Sequence, residues 1–298
     1  MEHTKKIWFN GEFHEDIKIE ILTHALHYGS GVFEGIRAYE TKYGPAVFRL
    51  HDHIKRFFYS ASCLEMKIPF SKEEIENAIP NLIKMNNLKE CYIRPIAFYG
   101  YGEMGLNPNN CPVNVGIIAW PWGAYLSGKE VVDVKISKYM RLHPKSIISD
   151  AKICGYYINS ILASLDAKSS GFDEAVLLDF EGNIAEGPGE NIFIVKNGKL
   201  FTPKKGSILC GITRDTVIKI AKEFNIQTEE KTITVEELKS AEEVFFTGTA
   251  VEIQGIGKID EKIINNHKIG KITKKIKDKY YKIVRGGEEK YLEYLSFV

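Results

Sequence analysis

Polar and apolar positions alternate in short blocks through the N-terminal part of the chain, the period of half-buried strands. Trp8-Phe9-Asn10-Gly11-Glu12-Phe13 places an Asn-Gly pair between apolar residues and predicts a tight hairpin. Residues 35–39 and 46–49 predict two strands flanking a Tyr43-Gly44-Pro45 turn. From 52 to 64 the period lengthens to that of a helix, and Ser71 with Glu74 forms a capping box for a second helix ending near Asn86. Residues 92–99 and 113–119 are rich in strand formers again, which together predict an α+β unit with an antiparallel sheet.

After Pro121-Trp122-Gly123-Ala124-Tyr125-Leu126-Ser127-Gly128, which reads as a crossing segment, a second set of elements follows. It comprises strands at 131–137 and 174–179, a helix at 154–169, and a hairpin through 192–195, Asn197-Gly198 and 200–201. A helix at 213–224, a capping box at Thr234 and Glu237, and a strand at 244–247 complete it. Ile269, Ile272, Ile276, Tyr280 and Ile283 interleave with lysines and predict an amphipathic helix with a lysine-rich outer face. The division expected is a smaller α+β domain at 1–121, an interdomain loop at 122–129, and a larger domain at 130–298, with a cleft as the place for a small molecule.

Composition narrows the function classes. Of 298 residues, 44% are hydrophobic and 27% charged, as in an ordinary globular protein, and a net charge of +1 argues against a nucleic-acid surface. Cys63, Cys91, Cys111, Cys154 and Cys210 are odd in number and show no C-x-x-C spacing, so reduced intracellular thiols are expected, and no metal. A charged N-terminus that enters a strand directly, and an apolar stretch too short to span a bilayer, predict a cytoplasmic protein without a membrane partner.

The candidate chemistry lies in two segments. Asp150-Ala151-Lys152-Ile153-Cys154-Gly155-Tyr156-Tyr157 sets one lysine among small and aromatic residues before an apolar helix. Glu186-Gly187-Pro188-Gly189-Glu190-Asn191 sets a carboxylate in a Gly-rich turn between strands. A buried amine with a carboxylate able to hold a ring nitrogen protonated is what pyridoxal-phosphate chemistry requires. Gly211-Ile212-Thr213 opens a helix and suits a phosphate, although plain capping by Thr213 explains it too. Thr247-Gly248-Thr249-Ala250 could present N–H groups to an anion or simply end a strand. Arg94, among apolar and aromatic residues in Tyr92-Ile93-Arg94-Pro95, fits a carboxylate ligand or a structural ion pair equally well. Gly100-Tyr101-Gly102-Glu103-Met104-Gly105 matches G-x-G-x-x-G, but Pro108 and Pro112 deny it the helix a nucleotide site needs, so a flexible loop is expected. His24-x-x-His27 and His51-x-His53 lack further ligands in a recognisable pattern, so hydrogen-bonding histidines are expected there.

Taken in order, Ile7-Trp8-Phe9-Asn10-Gly11, His24-Ala25-Leu26-His27-Tyr28-Gly29, Val32-Phe33-Glu34-Gly35-Ile36-Arg37, Tyr92-Ile93-Arg94-Pro95, Pro121-Trp122-Gly123-Ala124-Tyr125-Leu126, Glu186-Gly187 through Asn191, and Gly211-Ile212-Thr213-Arg214 resemble the branched-chain amino-acid aminotransferases. These are pyridoxal-phosphate enzymes of fold type IV. The resemblance implies the two-domain fold shared with the D-amino-acid aminotransferases, with the cofactor at the domain interface. It implies exchange of amino groups between leucine, isoleucine or valine and 2-oxoglutarate by a ping-pong mechanism.

Carried over residue by residue, the resemblance implies that Lys152 holds the cofactor covalently and shuttles a proton. Tyr157 would bond its phenolic oxygen, and Glu186 would pair with its ring nitrogen. Arg56, Ile212, Thr213 and Thr249 would bind its phosphate. Phe33, Trp122 and Tyr157 would form the apolar pocket, while Arg94, Tyr28 and Tyr125 would receive glutamate's side-chain carboxylate. Thr249 and Ala250, near Tyr92, would meet the α-carboxylate. The partner subunit would supply Tyr28 and the loop around Leu106, so a homodimer is the minimum assembly and a homohexamer is compatible with it.

Cys154 and Tyr156 stand where the bacterial pattern has Gly and Asn, Cys210 where a proline is frequent, and Glu103 where Gly is usual. None replaces a catalytic group. Within the same fold the rivals are a D-amino-acid aminotransferase and an aminodeoxychorismate lyase; outside enzymes, a non-catalytic pyridoxal-phosphate carrier.

Overall fold

The computed structural model describes residues 4–123, 126 and 128–298. The chain forms two compact units, and it visits each more than once. One unit takes in 1–123, Ala151–Tyr156 and Lys282–Val298; the other takes in Ala124–Asp150 and Tyr157–Tyr281. The lysine segment therefore packs with the N-terminal elements, and the helix that follows it packs with the later ones.

The first unit is built on an antiparallel sheet in the order Leu295–Phe297, Gly44–Phe48, Ile36–Thr41, Cys91–Tyr99, Val113–Trp120, Ile7–Phe9, Glu12–His14, with Gly31–Phe33 also paired to Cys91–Tyr99. Asn10 and Gly11 both have positive φ, the geometry a two-residue hairpin with the right twist requires. Helices Leu50–Ser62 and Lys72–Met85 turn Ile54, Phe57, Ile75, Ile79 and Leu82 inward, forming one core with Ile36, Val47, Ile93 and Val115 of the sheet. The capping box forms as expected: Ser71 Oγ accepts from Glu74 N–H, and the Glu74 carboxylate accepts from Ser71 N–H.

The second unit carries a mixed nine-stranded sheet. Strand Val131–Ile136 runs parallel to both of its neighbours, Glu174–Leu178 and Glu252–Ile259, whereas Asn191–Lys196, Glu243–Gly248 and Glu252–Ile259 form an antiparallel ladder. Helices Tyr157–Ser169 and Ile212–Glu223 belong to this unit. So does most of helix Lys271–Val284, which buries Ile276, Tyr280 and Ile283 as its apolar spacing predicts. Its N-terminus is capped from the sheet, because the Glu243 carboxylate accepts from the N–H groups of Ile272 and Thr273 and from the Thr273 hydroxyl. Among the described residues, no helix is long and apolar enough to cross a membrane.

Candidate active site

In the first unit, Lys152 sits at the edge of the antiparallel sheet. Its N–H donates to Ser60 Oγ at 2.8 Å, its carbonyl accepts from Phe33 N–H at 3.1 Å, and its amine lies 4.9 Å from the Phe33 ring centroid. Both backbone groups of the lysine are thus fixed by neighbouring elements. Gly29 and Gly155 clamp the segment: Gly155 N–H donates to Gly29 O at 3.0 Å, and a Cβ on Gly29 would fall 2.7 Å from Gly155 Cα.

Arg94 enters the same aromatic ground. Its guanidinium carbon lies 4.6 Å from the Phe33 centroid, 5.4 Å from Tyr92 and 5.9 Å from Trp120, and Trp122 packs 4.7 Å from Tyr92. Its Nη2 reaches the Tyr92 hydroxyl at 3.4 Å, while its Nε is buried without a hydrogen-bond partner. Among the described residues no carboxylate forms an ion pair with it, so the structural ion pair left open by the sequence is not what holds this arginine. Gly35 is required here, since a Cβ would fall 2.0 Å from the Tyr92 hydroxyl.

A closed ion cluster stands on helix Leu50–Ser62. Arg56 grips Glu34 in a fork, Nε to Oε1 at 2.6 Å and Nη2 to Oε2 at 2.9 Å, and His53 Nδ1 lies 2.8 Å from Oε2. Burial by itself raises the Glu34 pKa. The charge and hydrogen bonds of Arg56, with those of His53, outweigh burial and hold the carboxyl well below the usual carboxylate range. His53 is pushed below its ordinary value by burial, against the pull of Glu34, with Arg56 and Lys152 adding to the depression. Cys154 beside the lysine is pushed up to about 11 by burial, despite Arg94 and Lys152.

Within the second unit, Glu186 is almost fully buried at the end of strand Ile184–Glu186. Its carboxylate accepts from Asn191 Nδ2 at 3.1 Å and from Leu209 N–H at 3.1 Å, and Arg141 Nε lies 2.7 Å from Oε1. The Arg141 N–H is not aimed along that contact, which makes it a charge pairing more than an aligned hydrogen bond. Asn191 also donates to Leu209 O at 2.9 Å, tying the carboxylate to the turn before helix Ile212–Glu223.

Gly211, not Thr213, is the N-cap of that helix, and no side chain caps it. A Cβ on Gly211 would fall 2.0 Å from Asn191 Oδ1, so only glycine fits. Ile212 and Thr213 occupy the first turn, both buried. Thr249 and Ala250 lie in the turn between strands Glu243–Gly248 and Glu252–Ile259, beyond Thr247, whose buried hydroxyl has no hydrogen-bond partner.

The structure therefore gathers Lys152, Phe33, Tyr92, Arg94 and Trp122 in one unit, and Glu186 with Ile212 and Thr213 in the other. Tyr157 opens helix Tyr157–Ser169, half-buried. Tyr28 and the loop of Leu106 form a separate group, with the Tyr28 hydroxyl donating to Met104 O at 2.9 Å. Tyr125 lies outside the described residues. Glu34, Arg141 and Asn191, which pair with candidate site residues or with their neighbours, were given no role by the sequence. Asn191 stood inside a motif already singled out and Glu34 next to Phe33, whereas nothing around Arg141 marks it. The histidines make hydrogen bonds: His51 to Glu76, His53 to Glu34, His27 to Ile21 O, and His24 to Ser30 and Gly105 O.

The family model for class IV amino-transferases matches residues 31–259, more than half of the chain. The chain belongs to the class IV aminotransferases. It is 44% identical to the branched-chain-amino-acid aminotransferase of Pseudomonas aeruginosa, over 98% of this chain and 97% of that one, and so belongs to the branched-chain group within the class. The solved T.th. branched-chain amino acid aminotransferase, complexed with N-(5'-phosphopyridoxyl)-L-glutamate, superposes with a TM-score of 0.95 at 41% identity, covering 99% of this chain and 98% of that one. The same values hold for its complex with 4-methylvaleric acid. As an aminotransferase of this class the chain is an α+β protein, and its own residues can be tested against pyridoxal phosphate. They fit: in one unit an amine fixed at its backbone, and in the other a buried carboxylate for a ring nitrogen, a helix N-terminus without a side-chain cap for phosphate, and a buried Thr247 hydroxyl without a hydrogen-bond partner.

Proposed function

We propose that this aminotransferase moves amino groups between leucine, isoleucine or valine and 2-oxoglutarate, alternating between the two substrates in ping-pong fashion. When bound, pyridoxal phosphate supplies a carbonyl that exchanges amino groups and a ring that accepts the electron pair released at the substrate α-carbon. Lys152 holds the cofactor through its amine and, once displaced, carries the proton to and from the α-carbon. Glu186, fixed by Asn191 and Leu209 N–H, holds the ring nitrogen protonated, since an opposite charge favours that form. Tyr157 donates to the phenolic oxygen. Arg56, Ile212, Thr213 and Thr249 bind the phosphate, with Arg56 oriented by Glu34.

The observation that carries the dual specificity is Arg94, a partly buried cation among Phe33, Tyr92 and Trp120 without a carboxylate of its own. An apolar side chain packs on the rings, with Trp122 and Tyr157 adding surface; an acidic one meets the guanidinium. Tyr28 and Tyr125 add hydroxyls for the acid, and Thr249 and Ala250 take the α-carboxylate near Tyr92.

We place the enzyme in the cytoplasm, in keeping with five cysteines that form no disulfide, and assign it a homodimer in which Tyr28 and Leu106 serve the partner's pocket. Leu106 is 83% exposed and Leu26 61%, as residues awaiting a second copy would be. A homohexamer built from such dimers is compatible with this reading.

The test is the half-reaction followed by cofactor absorbance. L-leucine and L-glutamate each convert the purified enzyme, and D-alanine does not; conversion by D-alanine alone overturns the assignment. Lys152→Ala retains the cofactor non-covalently and loses turnover.

A further inference from the structure

We propose that His24 is a positioning residue that registers the loop bearing Leu106 on the segment bearing Lys152, and so sets the affinity for the apolar substrate. The inference rests on the reading that Leu106 contacts that substrate.

The loop 100–111 is neither helix nor strand for most of its length, and its residues are largely exposed. Yet three consecutive carbonyls in it are captured by side chains. Cys111 Sγ donates to Glu103 O at 3.4 Å, the Tyr28 hydroxyl to Met104 O at 2.9 Å, and His24 Nε2 lies 2.8 Å from Gly105 O. The loop expected to be flexible is therefore pinned immediately before Leu106. A loop of this exposure without such anchors would sample many conformations, and ordering it costs conformational entropy.

Of the three anchors, His24 continues inward by a further side-chain hydrogen bond. It is 2% exposed, and its Nδ1 lies 2.7 Å from Ser30 Oγ. A carbonyl only accepts, so Nε2 must carry the proton; in the neutral ring Nδ1 then accepts from the Ser30 hydroxyl. Ser30 O accepts from Tyr99 N–H at 3.1 Å, and the adjoining Gly29 O accepts from Gly155 N–H at 3.0 Å. Two residues past Gly31, Phe33 N–H bonds Lys152 O. A continuous run of hydrogen bonds and short backbone steps thus leads from the lysine segment through Ser30 and His24 to Gly105. The His24 ring packs 4.7 Å from Tyr28, so the same side chain also steadies the second anchor. Cys111 holds the loop from the first unit's buried core and Tyr28 from its hydroxyl; His24 adds the hydrogen-bonded link through Ser30 that fixes the loop on this chain's own framework, from which Leu106 is offered to the partner's pocket.

Three variants separate positioning from bulk. His24→Gln keeps an amide donor at the reach of Nε2, His24→Asn keeps polarity only at the reach of Nδ1, and His24→Phe keeps the ring without either. Loss of one such bond corresponds to roughly tenfold in an equilibrium. In His24→Phe and His24→Asn, amide exchange across 103–106 rises about tenfold, the KM for leucine rises by the same factor, and kcat at saturating leucine stays within about twofold. Cofactor uptake, followed by absorbance, is unchanged, and His24→Gln restores most of both effects. Combining His24→Phe with Leu106→Ala adds little to the leucine KM beyond Leu106→Ala alone.

Equal behaviour of the Gln and Asn variants overturns the proposal and remains readable if the Phe variant fails to fold. Unchanged loop exchange in His24→Phe overturns it as well. Faster loop exchange with an unchanged leucine KM also sinks it, through the Leu106 reading and not through the hydrogen-bond chain.

Discussion

Arg56 and Arg94 belong to the same unit, and both are largely withdrawn from water, but their surroundings differ in one respect. Arg56 forks onto Glu34, a carboxylate with no exposed surface, which His53 also contacts. Arg94 meets aromatic faces and one tyrosine hydroxyl, and keeps a buried Nε without a partner. A buried cation with a built-in counter-charge is held in direction, so what it offers a ligand is geometry. One without a counter-charge is stabilised only when an anion arrives, so what it offers is the charge itself. On the proposed function, the contrast would let one pocket suit both leucine and glutamate: the rings are always present, and the cation is answered only by the acid.

Breaking the first arrangement has the largest expected effect. Arg56→Leu leaves Glu34 buried without its guanidinium, with only His53 beside it, and lowers stability by about 3–5 kcal/mol, measured by urea unfolding of the holoenzyme. Arg94→Leu removes an uncompensated charge, so the same measurement shows no comparable loss. Its cost falls on function: binding of glutamate and 2-oxoglutarate weakens by about 2–5 kcal/mol, with leucine much less affected, as read from kcat/KM for each substrate. Equal losses for the two substrates would refute the distinction.

Acid sharpens the same comparison. His53 is depressed below its ordinary 6.5, so the unfolded chain takes up a proton that the folded one resists. Its contribution to stability is complete above that value and is lost as pH falls below it. Glu34, depressed below its ordinary 4.5, contributes fully above that value and loses the contribution progressively as pH falls below it towards the depressed folded value. Thermal midpoints measured from pH 8 downward should therefore begin to fall near 6.5. That first decline should disappear in His53→Gln.

The smallest effect concerns Cys154, whose thiol is pushed up to about 11 and is pulled the other way by Arg94. Iodoacetamide should label it slowly at neutral pH, because the thiolate is the reactive form. In Arg94→Leu labelling at Cys154 should be slower still, by mass spectrometry of the peptide carrying it. Faster labelling would mean that opening of the pocket, and not charge, governs access.

Much of the fold was legible locally. The Asn10-Gly11 hairpin, the capping boxes at Ser71 and Thr234, and the spacing of Ile276, Tyr280 and Ile283 each depend on residues a few positions apart. Strands Thr228–Lys231, Glu252–Ile259 and Leu295–Phe297 were not anticipated. Thr-Glu-Glu-Lys has little strand propensity, and pairing with a distant neighbour decides it. Nothing local marks the loop at 100–111 as held, because its captors His24 and Tyr28 lie more than seventy positions away.

By itself, the order of residues determined the family and the candidate groups for its chemistry: a lysine among small and aromatic neighbours, a carboxylate in a glycine-rich turn, a glycine opening a helix, and motifs in family order. Those features are chemical identities and short-range periods, and they survive without knowing the fold. Tertiary structure alone decided which charges are answered and which wait. That Glu34 closes on Arg56, that Arg94 has no such partner among the described residues, and that Arg141 and Asn191 converge on Glu186 follow from long-range packing. Burial strengthens or penalises each of these charges, and burial is set by the whole chain.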